Sequence, residues 1–227
     1  MASKTASSAA TAAAFRSVKS RNIVRENIFL VESIATVVVF AYFTLDAAVS
    51  LRTMLSVAFA LIYYSRLNIM ARFLLPRALA IEEITFVMLV WLPAILGTYG
   101  YASVNSGEVS TGIAVAAVSL FAVGSFFNSF SEYQRKVWKD RPENKGKLYT
   151  EGLAAWSRNI NYFGDVLLFA GWAVLSGAWW ALWVPAAMTA NFCLYAIPEK
   201  EAYLRDHYAK EWPAYQASTK ALVPFVY

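Results

Sequence analysis

The residue types able to do chemistry concentrate in one run of this sequence, where Arg158, Asn161, Tyr162 and Asp165 follow one another closely. If a helix starts near Ser157, Arg158, Tyr162 and Asp165 fall at i, i+4 and i+7 on one face, and Asn161 and Asp165 form a further i, i+4 pair. A cation, an amide, a phenol and a carboxylate then converge at a helix start, a donor and acceptor set suited to a polar cofactor. Just upstream, Gln134, Arg135, Lys136, Lys139, Arg141, Lys145 and Lys147 form a basic segment. Such a cluster can neutralise phosphates of a nucleotide or of anionic lipids; on charge alone it also reads as a solvated loop. The sequence holds no Gly-x-Gly-x-x-Gly and no Walker loop, so a nucleotide would be gripped by side chains instead of a Rossmann turn. One Cys, Cys193, allows no intrachain disulfide, and one His, His207, allows no multi-histidine metal site.

The scaffold that positions these groups is set by composition. Of 227 residues, 59% are hydrophobic and 15% charged, and mean hydropathy is +0.44. Soluble domains average about 25% charged residues, so an ordinary soluble enzyme is excluded and an all-α polytopic transmembrane bundle is expected. With roughly 20 apolar residues needed per crossing, about six spans emerge, over residues 27–45, 47–66, 84–102, 111–130, 162–176 and 178–197. The last two form a hairpin turning at Ser176 and Gly177, and the fifth is short for a full crossing.

Charge supports this layout. Six spans put both termini on one side, and the segments on that side hold every Lys and Arg except Arg52, nineteen of twenty. The positive-inside rule then places them in the cytosol or its organellar equivalent, and the formal charge of +5 reports a basic membrane face, with no nucleic acid expected. Asp46 and Arg52, near the opposite surface, are placed to pair. Pro93 would kink the third span. No carboxylate ladder and no inverted repeat points to a pump, channel or transporter. Residues 1–26 read as a basic tail or a transit-like segment, 27–130 as a four-span half, and 131–227 as a half carrying the polar site. The membrane would be that of the endoplasmic reticulum or of an organelle, mitochondrial inner or plastid.

The C-terminal stretch opens with Pro198 and with Glu199 and Glu201 in a first helical turn, and it reads as an interfacial amphipathic helix that ends at Pro213. The order of basic loop, Gly-Leu-x-x-x-Ser-Arg-x-x-Asn-Tyr-Phe-Gly-Asp, apolar hairpin, Glu-x-x-Leu-x-x-x-Tyr-x-x-x-aromatic-x-x-Tyr and a late Pro resembles one membrane superfamily. That superfamily includes steroid 5-alpha-reductase-like enzymes, sterol reductases and isoprenylcysteine carboxyl methyltransferases. The resemblance covers residues 130–224, and the Asn-Tyr-Phe-Gly-Asp variant places it closer to the reductase-like branch.

The resemblance implies a cofactor, NADPH in the reductases or S-adenosylmethionine in the methyltransferases. It implies that Arg158, Asn161, Tyr162 and Asp165 lie against it, that Arg135, Lys139 and Lys147 meet phosphates, and that Glu201 and Tyr215 close the site. The family's Arg-His-Pro-x-Tyr core reads Arg158, Asn159, Ile160, Asn161, Tyr162 here, so the titratable His is absent; Ala209 and Trp212 replace a Gly and a Tyr. Three readings follow. The first is an NADPH-dependent reductase of a C=C bond in a steroid- or isoprenoid-like lipid, with Tyr64 or Glu83 as candidate acid. The second is a non-catalytic subunit of a larger membrane complex, which needs no cofactor. The third is an S-adenosylmethionine-dependent membrane methyltransferase.

Overall fold

The structure is a computed structural model, and it describes residues 23–74 and 85–227. The expectations for the basic tail up to residue 22, and for Glu83, lie outside the described residues. Every regular element among the described residues is helical, as the composition requires. The helices are α1 (Ile23–Ala47), α2 (Leu51–Leu74), α3 (Val87–Asn105), α4 (Thr111–Lys139), α5 (Ile160–Ser176), α6 (Trp179–His207) and a short α7 (Trp212–Ser218). Five of these, α1, α2, α3, α4 and α6, are long and apolar enough to cross a membrane, and α5 is a shorter apolar helix.

α5 runs between the same two ends of the bundle that α4 joins, with only 17 residues. It does so because protein, not lipid, surrounds it. Leu168, Phe169, Trp172 and Leu175 are fully buried. The Trp172 ring meets Phe40 of α1, Phe59 of α2, Tyr99 of α3 and Phe121 of α4, at centroid distances from 4.8 to 6.5 Å. Its indole N–H donates to Ser56 at 2.8 Å, so the one polar atom of this hub is satisfied. α4 and α5 approach backbone to backbone, because Gly124, Gly164 and Gly171 leave no side chain between them. A Cβ on Gly164 would stand 2.6 Å from the Asn128 amide nitrogen.

Two helices outrun the spans expected from the sequence. α4 continues past Phe130 to Lys139, and 29 residues at 1.5 Å each reach about 43 Å, beyond a hydrocarbon core of about 30 Å. α6 likewise runs through Pro198 to His207 without a break, so the sixth span and the interfacial helix are one element. A π turn at Phe192–Ala196 precedes Pro198, and another at Val87–Trp91 precedes Pro93; the widened turn relieves the clash between each proline ring and the preceding carbonyls. Pro213 opens α7 instead of ending the helix before it. Arg52 also departs from expectation. Buried at 4% exposure, it donates to the carbonyls of Gly107 at 2.9 Å, Glu108 at 3.2 Å and Leu175, and makes no ion pair with Asp46. It thereby ties the α3–α4 loop to the C-terminus of α5, where a cation is favoured.

Candidate functional site

The overrun of α4 and α6 builds the site. Their polar ends project from the basic face and, with the 148–161 segment and α7, enclose a cavity of about 570 Å³, within the range of about 300–1,000 Å³ for cofactor sites. From α4, Ser131, Glu132, Arg135, Lys136, Lys139 and Asp140 line it, spaced as one helical face. From α6 and just beyond come Lys200, Tyr203, Leu204 and Tyr208, and the remaining lining includes Arg158, Asn161, Tyr149 and Tyr215, with Phe73 and Leu74 from the end of α2. The lining counts five cations against two carboxylates.

Of the residues expected from the sequence, Arg135, Lys139, Arg158, Asn161 and Tyr215 come together in this lining. The others stand around it. Glu201 holds Arg158, with Nε donating to Oε1 at 2.8 Å. Tyr162 stacks on Phe192 at 4.4 Å, beneath the Lys200 ammonium 5.2 Å from its ring. Asp165 lies one turn deeper, 3.8 Å from Arg66 of α2, whose Nε donates to Ser129 of α4 at 2.8 Å. The Lys147 side chain is exposed, and its carbonyl accepts from Lys139. Tyr64 is buried in α2 outside the lining, and its hydroxyl has no hydrogen-bond partner among the described residues.

Arg158 and its neighbours build the cavity floor. Besides Glu201, Arg158 donates to the carbonyls of Gln216 at 3.1 Å and Thr219. Ser157 donates to the Leu222 carbonyl at 2.8 Å, and the Asn159 amide to the Ala221 carbonyl at 2.8 Å. Three consecutive side chains thus clamp the C-terminal strap. Asn159, at the position of the His in the motif it resembles, is 1% exposed and serves this clamp, outside the cavity. Asn161 donates to Glu132 at 3.0 Å. The Tyr215 hydroxyl donates to the Ala154 carbonyl at 2.7 Å. Burial raises the phenol pKa of Tyr149, Tyr208 and Tyr215, so all three stay neutral donors at physiological pH.

Sequence reasoning missed Glu132, Lys200, Tyr203 and Tyr208. Tyr208 occupies the Tyr of the C-terminal motif, so the pattern already marked it. Glu132 is Asn161's partner across the α4–α5 contact, and nothing in linear spacing reveals it. The donor set fits a phosphate-bearing nucleotide, because cations and phenols share the lining with the apolar Phe73, Leu74, Ile160 and Leu204.

Helices that cross a membrane around a cation-rich, cofactor-sized cavity at one face define a polytopic membrane protein with a polar site beside the lipid. A family model described as a protein of unknown function, DUF1295, matches residues 77–219, and the chain belongs to that family. It is 34% identical over 85 residues to the probable O-methyltransferase ustE of Ustilaginoidea virens, covering 37% of this chain and 30% of that protein. It is 29% identical over 110 residues to 3-oxo-5-alpha-steroid 4-dehydrogenase 2 of Rattus norvegicus, covering 48% and 41%. It is 28% identical over 116 residues to the steroid 5-alpha-reductase DET2 of Arabidopsis thaliana, covering 50% and 42%. The resemblance read from the motifs holds, and the matches span less than half the length of each of these relatives.

Proposed function

We propose that this chain is an integral membrane reductase that uses NADPH to saturate a C=C bond of a steroid- or isoprenoid-like lipid. The observation that carries the reading is the cavity itself, whose lining combines five cations with neutral phenols and apolar side chains. Bound there, NADPH would supply hydride to the carbon conjugated with a carbonyl. The α4 cations and Lys200 would hold its phosphates, Asn161 and Tyr208 would orient it, and Phe73 and Leu74 would admit the lipid while excluding water. Tyr208 accepts from the Lys139 ammonium at 3.0 Å, which leaves its own proton available to a ligand. Tyr64 and Glu83 are the proposed acids, one to protonate the carbon next to that which receives hydride or to polarise the carbonyl; the Tyr64 hydroxyl, without a hydrogen-bond partner among the described residues, suits the second role.

The similarity to a methyltransferase-named protein supports S-adenosylmethionine as a second cofactor reading for the same cavity. The test is thermal unfolding of the purified protein in detergent with NADPH, with S-adenosylmethionine or with neither, followed by NADPH oxidation with an enone steroid. Stabilisation by NADPH is expected. Stabilisation by S-adenosylmethionine alone would select the methyltransferase, and co-purification with a large membrane complex without response to either would select the non-catalytic subunit.

A further inference from the structure

Five cations line the cavity, but their charges are not equally free. Arg135 stands 3.8 Å from Glu132, Lys136 bonds Asp140 at 2.7 Å, and Arg158 bonds Glu201 at 2.8 Å. Arg158 commits further donors to two carbonyls of the C-terminal segment and lies 5.6 Å from the Trp212 ring centroid. Among the described residues, Lys139 and Lys200 have no carboxylate within ion-pair distance. Lys139 donates to the Tyr208 hydroxyl at 3.0 Å and to the Lys147 carbonyl, and sits 4.9 Å from the Tyr208 ring. Lys200 reaches the Arg158 carbonyl at 3.5 Å and sits 5.2 Å from the Tyr162 ring. Both ammonium groups are therefore held directly by neutral neighbours, while the carboxylates that act on them, Glu211 on Lys139 and Glu132 and Glu201 on Lys200, do so from beyond ion-pair distance.

We infer that Lys139 and Lys200, contributed by α4 and α6, are the pair that grips the phosphates of the bound nucleotide, and that Arg158 is a positioning residue that holds the floor. The identity of the nucleotide rests on the NADPH reading. The physical reason is desolvation: a partly buried ammonium with no carboxylate in direct contact is costly, and an anionic ligand offsets that cost, whereas an arginine already in a close ion pair gains less. An ammonium has three donors, so each lysine keeps capacity for a phosphate oxygen. S-adenosylmethionine offers one carboxylate and a cation of its own, so this pair favours a phosphate-bearing ligand.

The test uses the full chain in detergent, with equilibrium binding of NADPH, 2′,5′-ADP and S-adenosylmethionine and the unfolding temperature of each unliganded variant. Lys139→Gln and Lys200→Gln should each weaken NADPH and 2′,5′-ADP by about tenfold to a hundredfold, and flatten the salt dependence. Their unliganded unfolding temperatures should stay near wild type, and Lys200→Arg should recover most of the binding. Arg158→Gln should instead lower the unliganded unfolding temperature. Unchanged NADPH binding in Lys200→Gln overturns the inference and leaves the NADPH reading standing. Lysine-dependent binding of 2′,5′-ADP without oxidation of NADPH by any enone lipid supports the inference and removes the reductase reading. Wild-type protein that binds neither phosphate ligand sinks both.

Discussion

At the scale of single residues, Tyr215 couples the cavity floor to the strap. Its hydroxyl donates to Ala154, and burial raises its pKa above the usual phenol value of about 10. A native state that holds its proton more tightly than the unfolded chain contributes stability that is complete below pH about 10 and is lost as pH rises beyond it. Tyr215→Phe should lower stability near pH 7 by about 1 kcal/mol, for the lost hydrogen bond. The gap to wild type should then narrow above pH about 10, because the variant has no phenol to ionise there. Unfolding temperatures from neutral to strongly alkaline pH check this, and parallel curves would refute it. At this scale the sequence exposed residues carried by motif spacing, such as Arg158 and Asn161, but not their employment. Whether Arg158 faces a ligand or a carbonyl depends on where Thr219 returns in space, and no linear pattern states that.

At the scale of elements, the contact between α4 and α5 sets the depth of the site, since it aligns Glu132 with Asn161. It rests on glycines that face backbone. Gly164→Ala would bring a methyl group against the Asn128 amide and the Gly124 carbonyl, each 2.6 Å away, and should cost about 1–3 kcal/mol and weaken any ligand the cavity holds. Gly97→Ala in α3, with nothing within 4 Å of the added carbon, should be neutral or gain up to about 1 kcal/mol from helix propensity. Equal unfolding temperatures for the two variants would overturn this account. The helices themselves were legible, because 20-residue apolar runs admit few other structures in lipid. Their ends were not. Helices α4 and α6 continue as polar helix beyond the bilayer, where hydropathy has no signal, and Pro198 was read as a boundary because a π turn that accommodates it leaves no trace in composition.

For the whole molecule, the proposed orientation and the proposed chemistry rest on one distribution of charge. The basic face carries the cavity, while the far face is closed by Arg52 and its three carbonyls. If α5 counts as a crossing, as its course from the cavity to the Gly107 loop indicates, α4 separates the two faces and the pair α5–α6 brings the chain back. This orientation is testable with single cysteines. In a Cys193→Ala background, Glu108→Cys and Lys147→Cys place thiols at exposed positions before and after α4, and Tyr227→Cys places one after α6. A membrane-impermeant maleimide applied to sealed, right-side-out vesicles should label Glu108→Cys alone. Lys147→Cys and Tyr227→Cys should react only after permeabilisation, as the positive-inside rule requires for the face that holds the cavity. Labelling of Lys147→Cys in sealed vesicles would invert the protein and move the proposed cofactor site away from cytosolic nucleotide. Labelling of Tyr227→Cys alongside Glu108→Cys would instead show that α5 does not cross, leaving the five long helices as the spans among the described residues.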